Sequence, residues 1–151
     1  MFMIVSIGAD HAAFNLKAVV IEHLKEKGIE VIDRGTYSLD SCDYPDYGIA
    51  VALDVASNKA DKGIVICFTG IGISIAANKV KGVRCALVSS VDAAVLTREH
   101  NDSNCLALGA KYTPNDLAIE IVDTWLGTKF SNMEKHARRI NKITAYESET
   151  K

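Results

Sequence analysis

Short runs of β-branched and other apolar residues alternate with amphipathic stretches along the whole chain, and that alternation limits the fold more than any single motif. Met3–Gly8, Glu30–Asp33, Gly63–Cys67, Cys85–Val88 and Cys105–Leu108 read as strands. They are apolar on both faces, the pattern of strands covered from above and below. Between them, Leu16, Val20 and Leu24 form one helical stripe with Lys17, Glu22, Lys25 and Glu26 turned to water and Gly28 as a stop. Ile49, Ala52, Leu53 and Ala56 repeat the spacing, and so do Ala118, Ile121, Val122 and Trp125 behind a Thr113 cap and Pro114 in the first turn. Further helices are expected from near Ile73 and Val91, and a more polar one from about Met133 to Tyr146. Strand–helix alternation of this kind predicts an α/β fold with a five-stranded parallel sheet between two helical layers. The reading is of one domain over residues 1–151, with an extra C-terminal helix made basic by Lys135, Arg138, Arg139 and Lys142 and expected to pack against another subunit.

A chain of 151 residues, 48% of them hydrophobic, fills one substantial core. A formal charge of −2 over mixed acids and bases makes no broad cationic field of the kind nucleic acid or an anionic membrane requires, so a small soluble partner fits better. Met1–Gly8 is a short apolar run without a basic flank or cleavage site, and no stretch is long enough to span a bilayer; a cytoplasmic location is expected. Cys42, Cys67, Cys85 and Cys105 show neither zinc-site nor disulfide-framework spacing, and Cys85 and Cys105 read as small buried hydrophobes.

Ligands of open parallel sheets bind beyond the carboxyl ends of the strands. Gly8-Ala9-Asp10-His11 stands at the first such end and Cys67-Phe68-Thr69-Gly70-Ile71-Gly72-Ile73-Ser74 at the third; the helix after strand four ends in Arg98-Glu99-His100-Asn101-Asp102, read as part of the same functional edge. Two glycines with hydroxyl residues before a helix aim several main-chain N–H groups at one spot, suited to a phosphate or to the oxyanion of an enediolate. Cys67 reads either as a base or nucleophile activated by that helix N-terminus or as a structural thiol. Asp10 reads as an acid or as an N-cap. His11 and His100, beside an acid and a thiol, suit proton transfer, whereas His23 and His136 receive no chemical task. Lys135 and Arg139, four residues apart, form either a phosphate clamp or a solvated basic face.

In this order and spacing, Gly8-Ala9-Asp10-His11, Asp43-Tyr44-Pro45, Cys67-x-Thr69-Gly70-x-Gly72-x-Ser74 with Ala76-Ala77-Asn78-Lys79, and Arg98-x-His100-Asn101-Asp102 resemble the ribose-5-phosphate isomerase B family and its galactose-6-phosphate isomerase relatives over nearly the whole length. The resemblance implies a Rossmann-like three-layer sandwich and cofactor-free, metal-free interconversion of an aldose phosphate and a ketose phosphate. It also implies a homodimer, or a tetramer, with each active site completed by the neighbouring subunit. Carried across, Cys67 is the base that moves a proton between C1 and C2, and Thr69 assists at the sugar oxygens. His100 and Asp10 open the furanose ring, and the backbone from Gly70 through Gly72 to Ser74 holds the enediolate. His11, Lys111, Lys135 and Arg139 bind the phosphate, while Tyr44 and Asn101 contact the substrate. Three positions depart from the family pattern: Phe68 stands where glycine is common, and Lys111 and Lys135 where arginine is usual. A lysine keeps the charge but loses the two-pronged geometry.

Two other enzyme readings share the motifs, isomerisation of galactose or allose 6-phosphate and a non-catalytic subunit of a paired enzyme. A nucleotide-binding module is disfavoured, because it needs an acid at the end of the next strand, which here closes in Val88-Ser89-Ser90.

Overall fold

The computed structural model describes residues 2–149; Met1, Thr150 and Lys151, included in the expected domain, lie outside the described residues. The strands stand within a residue or two of their expected positions: β1 Ile4–Ala9, β2 Glu30–Asp33, β3 Lys62–Cys67, β4 Cys85–Leu87 and β5 Cys105–Gly109. Among the described residues they form one sheet in the order β2-β1-β3-β5-β4, every pairing parallel. The helices are α1 Phe14–Glu26, α2 Tyr44–Ala56, α3 Ile71–Ala77, α4 Val91–Asn101, α5 Asn115–Gly127 and α6 Glu134–Glu149, with a 3-10 turn over His11–Ala13.

The period-2 pleat of the strands sorts their side chains into two cores. Ile64, Ile66, Leu106 and Leu108 point to one face, where Leu16, Val20 and Leu24 of α1, Ala94 of α4 and Ile121, Val122 and Trp125 of α5 cover them. Val65, Cys67, Cys105 and Ala107 point to the other, against Val51, Ala52 and Val55 of α2 and Ile73 and Ala77 of α3. Trp125, fully buried, donates its indole N–H to Ser103 Oγ at 2.9 Å, so the largest core side chain brings its one polar atom to a partner. The sandwich is therefore three-layered as expected, and α6 lies outside it, touching α4.

Three local expectations are corrected. Lys17 does not face water: it is 3% exposed, its ammonium 2.6 Å from Asp33 Oδ1 and close to the rings of Phe14 and Tyr37, and helical periodicity does not reveal Asp33 and Tyr37, which lie outside α1. The α2 stripe is rotated: Gly48, Val51, Ala52 and Val55 are buried with Asp54, whereas Ile49, Leu53 and Ala56 are exposed. Asp54 disguised the inner face, because a carboxylate in a core stripe reads as solvent-facing until its partners are known. Thr113 is not a cap. Pro114 is extended (ψ 156°) before α5 begins, and the buried Thr113 hydroxyl finds no partner among the described residues.

Candidate active site

The connections leaving β1 and β3 run in opposite directions, β1 to β2 on one side and β3 past β5 to β4 on the other, so a crevice opens between their carboxyl ends. The parallel register pairs Ala9 with Ile66, and the Asp10 N–H donates to Ile66 O at 3.2 Å. Asp10 and Cys67 are thus the next residues on adjacent strands, at the mouth of that crevice. Asp10 is 7% exposed, its side chain caps nothing, and its Oδ1 has no hydrogen-bond partner among the described residues. Capping is not its role here. A buried carboxylate oxygen without a donor is costly to maintain and marks a place for a ligand or a proton.

Cys67 is buried, and the Gly70 N–H donates to its sulfur at 3.1 Å. That contact needs the tight turn from Phe68 to Gly70, in which Gly70 has φ 78° and the backbone of Leu108 and Gly109 presses where a Cβ would sit. Thr69 Oγ1 accepts from the Ile71 N–H at 3.2 Å, and the Ser74 N–H donates to Gly70 O. The Ser74 hydroxyl donates to Ile71 O at 2.7 Å. The anion cradle expected from Gly70 to Ser74 is therefore narrower. Ser74 has its own donors engaged, and helix geometry leaves the amides of Gly72 and Ile73 as the donors without an intrahelical acceptor. Tyr44 closes over this turn, its ring so near Gly72 that no Cβ would fit between them.

Two further groups stand at the same edge. The Cys42 N–H donates to His11 Nδ1 at 3.2 Å, and an Nδ1 that accepts places the neutral ring's proton on Nε2. Cys42 is thus an orienting residue that sequence reasoning missed; its place beside the Asp43-Tyr44-Pro45 motif was the available signal. Lys111 follows β5, its N–H donating to Phe68 O at 2.8 Å and its ammonium 5.4 Å from the centre of the Phe68 ring. Phe68 itself is 51% exposed and does not turn into the core. Beside Thr69 a cleft of about 380 Å³ continues past Leu87, Ser89 and Tyr112.

His100 and Asn101 are elsewhere. A helix following a strand runs back across the sheet, so the end of α4 lies at the amino edge. There Arg84, which precedes β4, donates to Asn101 O at 3.0 Å and to Asp102 O at 2.9 Å, and the Gly63 N–H at the start of β3 donates to Asn104 O. The expectation that His100 shares one edge with Asp10 and Cys67 is corrected for a single chain. What His100 does meet is α6: its ring stacks on His136 with centroids 4.3 Å apart and planes 21° from parallel. Burial lowers the His136 pKa, and repulsion from the neighbouring His100, Lys135 and Arg139 lowers it further. Lys135 and Arg139 flank this pair on α6, both exposed and without an ion-pair partner among the described residues, while Arg138 between them pairs with Glu134 at 2.6 Å. Sequence reasoning gave His136 no task; its i+1 and i−3 relation to Lys135 and Arg139 was the available signal. Arg98, expected within the same motif, is buried and structural, bonding Thr128 O, Ser103 O and Asp102.

The chain thus carries a thiol and acid set at the carboxyl edge and an imidazole and cation set at the amino edge. Among the described residues no group of three His, Cys, Asp or Glu could hold a metal ion, and no helix is long and apolar enough to cross a membrane.

Comparison with known proteins places this arrangement. The profile of the Ribose/Galactose Isomerase family matches residues 5–143. Ribose-5-phosphate isomerase B of Escherichia coli (strain K12) is 48% identical over 143 residues, 95% of either chain. The solved structure of Clostridium thermocellum ribose-5-phosphate isomerase B superposes with a TM-score of 0.95 at 51% identity, over 97% of this chain and 98% of that one. A second, from Mycoplasma genitalium with bound ribulose 5-phosphate, gives 0.94 at 44% identity, over 99% and 98%. With likeness of that extent in both sequence and backbone, the chain belongs to the Ribose/Galactose Isomerase family.

Proposed function

We propose that this protein interconverts ribose 5-phosphate and ribulose 5-phosphate by moving a proton between C1 and C2 through an enediolate. The observation that carries the reading is the buried Cys67 sulfur at the switch-point crevice, next in register to an acid whose Oδ1 has no partner among the described residues and one turn from the Gly72 and Ile73 amides. Taking a proton from carbon next to a carbonyl needs a base and a fixed set of donors where negative charge develops. Cys67 supplies the first and the amides the second. Thr69 passes protons at the sugar oxygens, and Asp10 with His100 opens the furanose ring, His136 holding the His100 imidazole flat against its own. Tyr44 and Asn101 contact the sugar, and His11, Lys111, Lys135 and Arg139 take the phosphate.

Because His100, Asn101, Lys135 and Arg139 stand across the sheet from Cys67, this chemistry needs a second copy of the chain, whose amino edge meets the first copy's carboxyl edge. The exposed apolar residues Ile49, Leu53, Ile71 and Ile75 on α2 and α3 suit that contact. In this homodimer α6 of each copy reaches its partner. A cytoplasmic location follows from the same reading.

The test is an activity panel of pentose and hexose phosphates, run with a chelator. Ribose 5-phosphate should be turned over at an unchanged rate in chelator and in clear preference to galactose 6-phosphate or allose 6-phosphate. A preference for either hexose would transfer the assignment to that sugar.

A further inference from the structure

Phe68 follows Cys67 directly, yet it belongs to neither core. A half-exposed ring beside a buried thiol gains little from burial, so its reason for being there lies in what it touches. It touches Lys111, whose ammonium sits 5.4 Å from the ring centre, within the distance at which an aromatic face attracts a cation. The two residues are also joined through the main chain, Lys111 N–H to Phe68 O at 2.8 Å and Ala110 N–H to Cys67 O at 2.9 Å, so the loop after β5 is zipped to the loop after β3. Phe68 is not among the residues with positive φ, and the turn accepts a side chain there without strain.

A lysine brings a compact charge on a flexible stem, with three donors that rotate freely; unlike a guanidinium fork, it does not fix its own direction. The geometry points to Phe68 as a positioning residue, whose ring holds the Lys111 ammonium at the mouth of the Cys67 crevice to receive the phosphoryl end of the substrate. This rests on the proposed role of Lys111 as a phosphate ligand. It gives the ring a task in binding and none in proton transfer, so its removal should move the Michaelis constant and leave the turnover number.

Steady-state kinetics on ribose 5-phosphate, with inorganic phosphate as a competitive inhibitor, test it in the wild type, Phe68→Leu, Phe68→Tyr, Lys111→Ala and the Phe68→Leu, Lys111→Ala double variant. Loss of one exposed cation–π contact predicts that Phe68→Leu raises KM and the phosphate inhibition constant together by about two- to fivefold, with kcat within about twofold. Phe68→Tyr keeps a ring and should restore both constants. In the Lys111→Ala background, Phe68→Leu should add nothing. Unchanged constants in Phe68→Leu, or an equal loss in the Lys111→Ala background, would overturn the inference. If the wild type turns over no pentose phosphate, the isomerase reading fails by itself, and calorimetric titration of inorganic phosphate into the same variants still decides the role of Phe68: weaker binding in Phe68→Leu supports it, equal binding overturns it.

Discussion

At the scale of single residues, the proposal sets Cys67 a task that no neighbour can take over, since Thr69 and Ser74 carry hydroxyls and Asp10 lies across the crevice on another strand. Cys67→Ala should therefore lower kcat by about 10²- to 10⁴-fold, the range over which general bases contribute. Its circular dichroism and its inhibition by phosphate should stay near those of the wild type. Near-normal turnover would remove the thiol from the mechanism. The placement of Cys67 and Asp10 at one edge is legible in the sequence, because both follow apolar runs that end at one edge of a parallel sheet. Cys42 and His136 are not, because each acts on another histidine, His11 through a backbone amide and His100 through a ring face, contacts that chain spacing does not encode.

At the scale of elements, Asp54 joins three of them. Its carboxylate accepts from Ser6 Oγ of β1 at 2.8 Å and from Arg34, beyond β2, at 2.7 and 2.6 Å, and so holds α2 on the sheet below the crevice. Burial by itself would raise the Asp54 pKa. The hydrogen bonds from Arg34 and Ser6 and the charge of Arg34 together outweigh it, and the pKa ends below the usual value. A carboxyl whose folded pKa is depressed adds stability above its unfolded pKa of about 3.9 and loses it as pH falls through the lower folded value. Asp54→Asn should cost about 1–3 kcal/mol at neutral pH, as expected for a damaged buried network. Its Tm should also fall less steeply than that of the wild type below pH 4; parallel curves in thermal melts across that range would rule the pair out as a source of acid sensitivity. The same carboxylate hides the inner face of α2 from the apolar periodicity, while α5, whose stripe holds no charge, shows its buried face directly in Ala118, Ile121, Val122 and Trp125. The position of α4 is legible in the sequence, but where its last residues lie depends on its direction: a helix that starts at the carboxyl edge ends at the other.

At the scale of the whole molecule, that direction separates the thiol from the imidazole by the depth of the sheet, and the proposed enzyme is complete only as a pair. Cys67→Ala and His100→Asn should each be inactive alone. In a mixture dissociated and reassociated at equal amounts, half the dimers are heterodimers and each rebuilds one intact site of two, so about a quarter of the wild-type activity should return. No recovery would place both residues in the same chain's site. A pair arranged as proposed would be silenced by dilution: once copies part, the thiol loses the imidazole that completes its site, and specific activity becomes a gauge of self-association.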